Sequence, residues 1–131
     1  MIHGVTDNFT LKEEHWESLI SGSGVSEEVV QARGYWTATD PDEMLESDFT
    51  KPQRRVPALV IPVHGIDGAV RFSRVRPDNP RPDPKKPGKI IKYEQPSGTP
   101  VTLDIHPFAR EGLKDRSRRL WIVEGEKKGD P

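Results

Sequence analysis

The chain has 131 residues, of which 32% are hydrophobic and 31% charged, and it contains 13 prolines and no cysteine. This length fits one domain with a small core and many loops, and the composition excludes disulfides and thiolate metal sites such as a four-cysteine zinc ribbon. No apolar run approaches the roughly 18 residues of a membrane span and no signal peptide opens the chain, so we expect a cytoplasmic protein without a membrane partner.

The net charge of −1 conceals a separation of charge along the chain. Residues 1–50 contain 11 acidic residues against two basic ones, whereas residues 51–92 contain 11 basic residues against three acidic ones. A basic stretch of this kind is typical of polyanion binding. The alternative is that the two halves neutralise each other in the fold, or that both are simply solvated.

The acidic half begins without periodicity, and residues 1–9 are predicted to be a flexible leader. Residues 10–50 are predicted to be an acidic helical segment. In it, Thr10 opens a capping box, and Ser26 caps a second short helix that ends at Gly34.

The remainder of the acidic segment contains a strand and a further helix. Residues 35–39 have strand propensity, and Asp40 followed by Pro41 is typical of a helix N-cap with proline at the first helical position. Asp40 and Asp42 formally make an Asp-x-Asp pair, but capping is the favoured role over metal binding.

Residues 51–119 are predicted to be a basic α+β core built on a hairpin. One strand covers residues 58–64, a turn covers residues 65–68, and the returning strand covers residues 69–76. Pro62 in the first strand favours an edge position or a bulge, because proline cannot donate to a sheet ladder.

The proline-rich residues 77–88 are predicted to form an extended and mobile loop. Residues 89–93 are predicted to add a third strand to the same antiparallel sheet. Residues 101–103 fit a fourth strand, and residues 106–113 fit a brief helix.

Residues 120–131 end the sequence with a pattern that predicts a buried strand leading to a carboxylate. Residues 120–123 are apolar and partly β-branched, and Glu124 is followed by Gly125, which permits a sharp turn. A carboxylate at the exit of a buried strand is where α/β proteins place metal-bound or phosphate-directed chemistry. Glu124 is therefore a candidate catalytic residue, with capping of the turn as the alternative.

This ending resembles the first motif of the TOPRIM domain of primases and topoisomerases. The order of hairpin, long loop and Lys-Tyr pair before it resembles the catalytic core of bacterial replicative primases. More closely, it resembles the primase-associated domain of unknown function in plasmid and phage replication proteins. The shared fragments, between about residues 9 and 129, are Arg76-Pro77-Asp78-Asn79-Pro80-Arg81, Lys92-Tyr93, Leu103-Asp104-Ile105-His106-Pro107 and Glu124-Gly125-Glu126-Lys127-Lys128.

The resemblance implies a site for nucleic acid. In the primase family the basic residues between the hairpin and the Lys-Tyr pair face the template and the incoming nucleotide, and the glutamate that corresponds to Glu124 serves the polymerising centre. Arginine binds phosphate in a bidentate manner and keeps its proton, which suits backbone contacts to a single strand. An ordinary strand aromatic remains the more frequent role of Tyr93. The implied nucleic-acid-binding residues are Arg71, Arg74, Arg76, Arg81, Lys89, Lys92 and Tyr93.

We therefore expect an α+β fold, with short N-terminal helices followed by a small antiparallel sheet and a C-terminal TOPRIM-like first strand. The expected function is binding of single-stranded DNA or nucleotides within a mobile-element DNA replication protein, whose remaining TOPRIM or helicase parts would be partners. The Asp-x-Asp that holds magnesium in the family is missing after Glu124, so we expect no metal site, no cofactor and no polymerisation by this chain alone; only a complete TOPRIM would bind magnesium. The alternatives are a non-enzymatic protein-interaction module and a decayed gene fragment.

Overall fold

The centre of the computed structural model, which describes residues 2–6, 9–123 and 130, is an antiparallel sheet of three strands. Short helices pack beside this sheet, so the expected α+β class is confirmed. The middle strand is buried on both faces along its whole length. In their order across the sheet the strands are β3 (Trp36–Ala38), β4 (Ala58–His64) and β5 (Val70–Pro77).

A second, two-stranded sheet precedes the helices. Strand β1 (Ile2–Thr6) pairs antiparallel with β2 (Phe9–Lys12), where the sequence predicted a leader and then a helix cap at Thr10. The expected cap is wrong because Thr10 lies within β2, and the backbone amide of Lys12 donates to Thr37 Oγ1 at 2.9 Å instead. Long-range pairing thus overrides the local capping signal.

Helices follow where the sequence predicted them. Helix α1 (Glu13–Glu17) continues into a π-helical turn (Ser18–Gly22), and α2 (Glu27–Arg33) comes next. The backbone amide of Val29 donates to Ser26 Oγ, and Gly34 ends α2 with φ of 86°. Both predicted ends of α2 are therefore confirmed. No helix in the described part of the chain is long and apolar enough to cross a membrane.

The two faces of β4 contact two separate apolar clusters. Leu59 and Ile61 pack with the helical residues, and Ala58 and Val60 pack with a cluster that includes Val75 of β5. Full burial of a Leu or Ile side chain contributes roughly 1.5–3 kcal/mol, so β4 is the main source of apolar stabilisation. The first cluster contains Leu11, Trp16, Leu19, Val25, Val30, Tyr35, Leu59 and Ile61.

The predicted hairpin is confirmed. The amide of Gly68 donates to the Gly65 carbonyl at 3.0 Å, and the register shifts between Val63 and His64. Pro62 lies beyond the end of β3, which pairs with β4 only as far as Val60. On its β3 side Pro62 is thus at an edge, and its missing N–H costs no ladder bond there.

The expected third strand at residues 89–93 is wrong. This segment, all of which the structure describes, has isolated bridges beside it, Val75 with Glu94 and Pro82 with Ile90, and no strand. Its backbone pairs with the proline-rich loop, since Lys89 accepts from the Asp83 amide and Ile91 donates to the Arg81 carbonyl, and β3 completes the sheet instead. Residues 101–103 are likewise not a strand.

The brief helix expected at residues 106–113 is confirmed as two short 3-10 helices, Pro107–Ala109 and Glu111–Lys114. Another 3-10 helix, Pro41–Ser47, begins where Asp40 and Pro41 predicted a helix start. The carboxylate of Asp40 accepts from the Asp42 amide at 2.9 Å, in keeping with a capping role.

The buried strand expected at residues 120–123 is wrong. These four residues have no regular secondary structure, and their exposed fractions lie between 51% and 80%. No strand in the described part of the chain lies beside them to pair their backbone, so strand propensity alone does not order them. Glu124, the candidate catalytic residue, lies outside the described residues.

Candidate nucleic-acid interface

Two of the predicted basic residues lie on the helical face of the sheet. Arg74 and Arg76 are opposite Ile61 and Leu59 across the β4–β5 ladder. Cross-strand neighbours project to the same side of a sheet, so these arginines share a face with the apolar residues that contact the helices. Their position is at the outer margin of that face.

A pocket of about 350 Å³ lies between α1 and β5. We call it the α1–β5 pocket. Its walls come from α1, from the end of β5 and from the loop that follows it, so three separate parts of the chain create it. The lining residues are Glu14, His15, Ser18, Leu59, Arg76, Pro77, Asp78, Pro80, Ile90 and Lys92.

Arg76 and Lys92 bring positive charge to this pocket from opposite ends of the proline-rich loop. Neither cation forms a salt bridge with a carboxylate of the described residues. The guanidinium of Arg76 lies 5.6 Å from the centroid of the Tyr93 ring, a cation–π distance. Tyr93 remains 41% exposed. Arg76 therefore joins the pocket that it shares with Lys92 to an accessible aromatic ring, which is itself not a lining residue.

One wall of the pocket carries a fixed carboxylate. His15 Nε2 lies 2.5 Å from Asp78 Oδ1, and His15 Nδ1 lies 2.7 Å from Thr37 Oγ1. Because both ring nitrogens already have partners, His15 is not available as a general base toward a ligand. It is buried and holds Asp78 at the pocket wall.

Arg81 has a structural partner. Its guanidinium contacts both carboxylate oxygens of Glu94, with the shortest distance, Nη2 to Oε1, at 2.7 Å. This hydrogen bond raises the pKa of Arg81 above its ordinary value. Glu94 is buried and its backbone pairs with Val75, so Arg81 ties the loop to the end of β5 rather than presenting a free charge.

The remaining predicted basic residues are not brought to the pocket. Arg71 lies in the first part of β5 and forms an exposed salt bridge with Asp67 at 2.9 Å. Lys89 is exposed near the tip of the proline-rich loop, where its amide donates to the Lys86 carbonyl at 3.1 Å. Arg74 shares the face of Arg76 but is not a lining residue.

A second polar cluster lies on α2, and the sequence analysis missed it. Arg33 is 2% exposed and donates to Asp130 through Nε at 2.6 Å and to Asp104 through Nη1 at 2.8 Å. Burial opposes the charge of Arg33, but the hydrogen bonds with Asp130 and Asp104 outweigh it and raise its pKa. Tyr35 also donates to Asp130, at 2.7 Å. This cluster attaches two distant segments to α2.

Neither the Arg33 cluster nor the His15–Asp78 pair has a local signal in the sequence. Asp130 is 97 positions from Arg33, and Asp78 is 63 positions from His15.

His106 has an ordinary structural role. His106 Nδ1 accepts from the Phe108 amide at 3.1 Å, and its Nε2 donates to the Val29 carbonyl at 3.0 Å. Among the described residues, no group of three or more histidine or carboxylate side chains could hold a metal ion. No family model, curated protein or solved structure matches the chain.

Proposed function

We propose that this chain binds single-stranded DNA at the α1–β5 pocket, as a module of a primase-like DNA replication protein of plasmids or phages. The observation that supports the proposal most is the meeting of Arg76 and Lys92 beside the exposed ring of Tyr93. The charge pattern of the sequence did not distinguish Arg76 and Lys92 from Arg71 and Arg81. The latter two form salt bridges with Asp67 and Glu94.

Each component suits one part of a nucleotide unit. Arg76 and Lys92 would contact phosphate, and the exposed face of Tyr93 would stack on a base, an interaction worth about 1–3 kcal/mol per base. A single strand fits better than a duplex, because its bases are free to stack on a side chain. Such contacts do not discriminate between base sequences.

The carboxylates of the pocket limit the affinity. Glu14 and Asp78 line the same walls as the two cations, so the local positive potential is smaller than the basic sequence suggests. We therefore expect weak binding by the isolated chain, with a strong dependence on salt concentration.

Polymerisation is not part of this proposal for the chain alone. The Asp-x-Asp strand that the resemblance places after Glu124 is not among these 131 residues, and magnesium would be held only by a complete TOPRIM. The remaining TOPRIM or helicase parts are proposed partners, and the cytoplasm is the proposed compartment. Glu124 keeps its proposed role as the first carboxylate of that centre.

Fluorescence anisotropy with a labelled single-stranded oligonucleotide tests this function. The double variant Arg76→Glu and Lys92→Glu should abolish binding while the circular dichroism spectrum stays unchanged. A matched control, Lys114→Glu with Arg118→Glu, changes the net charge equally at exposed positions outside the pocket and should retain most of the binding. Equal loss in both double variants would show that only net charge matters and would refute the site.

A second candidate function, a non-enzymatic protein-interaction module, is favoured by a different observation. Residues 120–123 expose four apolar side chains in sequence, and single exposed apolar residues are far more common than such a run. Titration with DNA separates the two candidates, because an interaction module would show no salt-dependent retention of a single strand.

A further inference from the structure

At Ser73 the outer edge of β5 presents backbone groups that pair with no other residue in the described part of the chain. Ser73 is directly opposite Pro62 in the β4–β5 ladder. Opposite residues of an antiparallel pair either exchange two hydrogen bonds or none, and proline has no N–H to exchange. Ser73 is thus at a non-hydrogen-bonded position, where its own N–H and C=O point away from β4.

The backbone hydrogen bonds of Val75 independently indicate that the N–H and C=O of Ser73 point away from β4. Val75 lies two residues after Ser73. Its backbone amide donates to the Glu94 carbonyl, and its carbonyl accepts from the Glu94 amide, each at 2.8 Å. The direction of backbone groups repeats every second residue in a strand, so Ser73 points to the same outer side as Val75. The bridge at Glu94 is the start of a fourth ladder that does not continue to Ser73 within the described residues.

A groove of about 450 Å³ occupies the place where that ladder would continue. We call it the β5 groove. One wall is the first part of β5, and residues 96–100 form the other wall, displaced from the strand. The residues that matter for a bound strand are Val70, Phe72, Ser73, Pro96, Thr99 and Asp48.

The chain also contains a segment with the properties of the missing strand. Residues 120–123 are apolar, β-branched in two positions and exposed, and their backbone forms no ladder with any described residue. They do not line the β5 groove of their own chain. Arg119 precedes them directly and forms no salt bridge with a described carboxylate, whereas Arg118 pairs with Asp115. At the groove, Asp67 pairs Arg71, and Asp48 forms no salt bridge with a described residue, so the remaining charges of segment and groove are complementary.

We propose that residues 120–123 of one copy add as a strand to β5 in the groove of a second copy, and that the second copy does the same in return. Strand addition satisfies the outward N–H and C=O of Ser73 and buries the exposed apolar run. The exchange is reciprocal, so the two contacts are related by a twofold axis and the assembly closes as a dimer. This inference is independent of DNA binding.

Sedimentation equilibrium over a wide concentration range tests the dimer. Ser73→Pro removes only an outward N–H, because proline is tolerated at a strand edge. It should weaken dimerisation at least about tenfold, because one hydrogen bond is lost at each of the two symmetric contacts. Ile122→Asp places a charge in the added strand and should weaken it at least as much. Val101→Asp, at a fully exposed apolar residue outside the groove, is the matched control and should leave the dimer intact.

A mixing experiment identifies the reciprocal contact. A chain with a defective groove and a chain with a defective strand should form a heterodimer that retains one intact contact, so the mixture should associate more strongly than either variant alone. If Ser73→Pro fails to fold, Val70→Asp disables the groove from an exposed side chain. General hydrophobic association would show no such recovery.

Three outcomes would overturn the proposal. In the first, the wild-type chain is monomeric at all concentrations. In the second, the dimer persists unchanged in Ile122→Asp. In the third, hydrogen exchange would show the amide of Ser73 protected in a monomer, which would mean that another segment of the same chain fills the groove. A concentration-dependent dimer lost in both variants and recovered on mixing supports it.

Discussion

The region around β4 and the region from residue 96 to residue 123 are stabilised differently. Every residue of β4 is buried, and apolar clusters cover both of its faces. In the later region Val101, Leu103 and Phe108 are exposed, and the main attachments are polar, through Asp104 and His106. Apolar burial organises the first region, whereas a few directed polar contacts position the second.

This contrast explains where each candidate surface lies. In the α1–β5 pocket Arg76 is held by β5, and Lys92 comes from the segment after the proline-rich loop. Residues 120–123 have no apolar support in the described residues, which leaves them available for another chain. Arg33 connects the two regions, because α2 belongs to the first and Asp104 to the second; its other partner, Asp130, lies beyond both.

The largest expected effect comes from cutting that connection. Arg33→Met should destabilise the fold by about 3–5 kcal/mol, because it leaves two carboxylates near a buried site without their cation. Chemical denaturation followed by tryptophan fluorescence measures this loss. Arg71→Met, at an exposed salt bridge, is the control and should change the stability by less than about 1 kcal/mol. Equal effects would contradict the connecting role of Arg33.

The second prediction compares apolar residues of the two regions. Ile61→Ala should cost about 3 kcal/mol, since Ile61 is fully buried between the sheet and the helices. Val101→Ala should change the free energy of unfolding by no more than about 0.5 kcal/mol, because Val101 is fully exposed. A large cost at Val101 would show that the later region has a core that the structure does not contain.

A smaller effect is expected at the end of α2. Gly34→Ala should cost about 1–2 kcal/mol, because φ of 86° is unfavourable for a residue with a side chain. The added methyl group would meet only Pro62 Cγ at 3.7 Å, an ordinary contact, so backbone strain is the cause. Gly22→Ala is the control, because φ is not positive at Gly22. It measures how much the free energy of unfolding changes when a methyl group is added without this backbone strain.

The smallest expected effect is local and concerns Asp115. Hydrogen bonds from the hydroxyl and amide of Ser117 hold the pKa of this carboxyl below its ordinary value. A depressed pKa in the folded state contributes stability above the ordinary pKa, and that contribution disappears as the pH falls through the folded value. Ser117→Ala should raise the pKa of Asp115 in an NMR titration without a measurable change in stability at neutral pH.

Local signals predicted the elements whose cause is local. The alternation and turn at Asp67 and Gly68 predicted the hairpin, and Ser26 and Gly34 predicted both ends of α2. Strand β1 and the position of residues 120–123 depend on which backbone partners are near, and no spacing within a segment contains that information. Propensity for a strand was therefore a poor guide where no neighbour existed.

The candidate site follows the same rule. The basic stretch predicted a set of seven residues, from which the structure brings Arg76 and Lys92 to one pocket and Arg76 to the ring of Tyr93. The sequence could not show that Arg81 forms a salt bridge with Glu94 and Arg71 with Asp67, because a count of charges does not identify partners in space. The Arg33 cluster was missed for the same reason, since its carboxylates lie far along the chain.

The most direct test of the proposed function is a map of backbone NMR shifts during titration with a short single-stranded oligonucleotide. The account predicts that the perturbed amides lie around the α1–β5 pocket, in residues 14–18, 76–80 and 90–93, and that the perturbations disappear at high salt. Amides near Arg71 and in residues 101–123 should remain unchanged. Perturbations confined to those unchanged regions, or no perturbation at low salt, would contradict binding at this pocket.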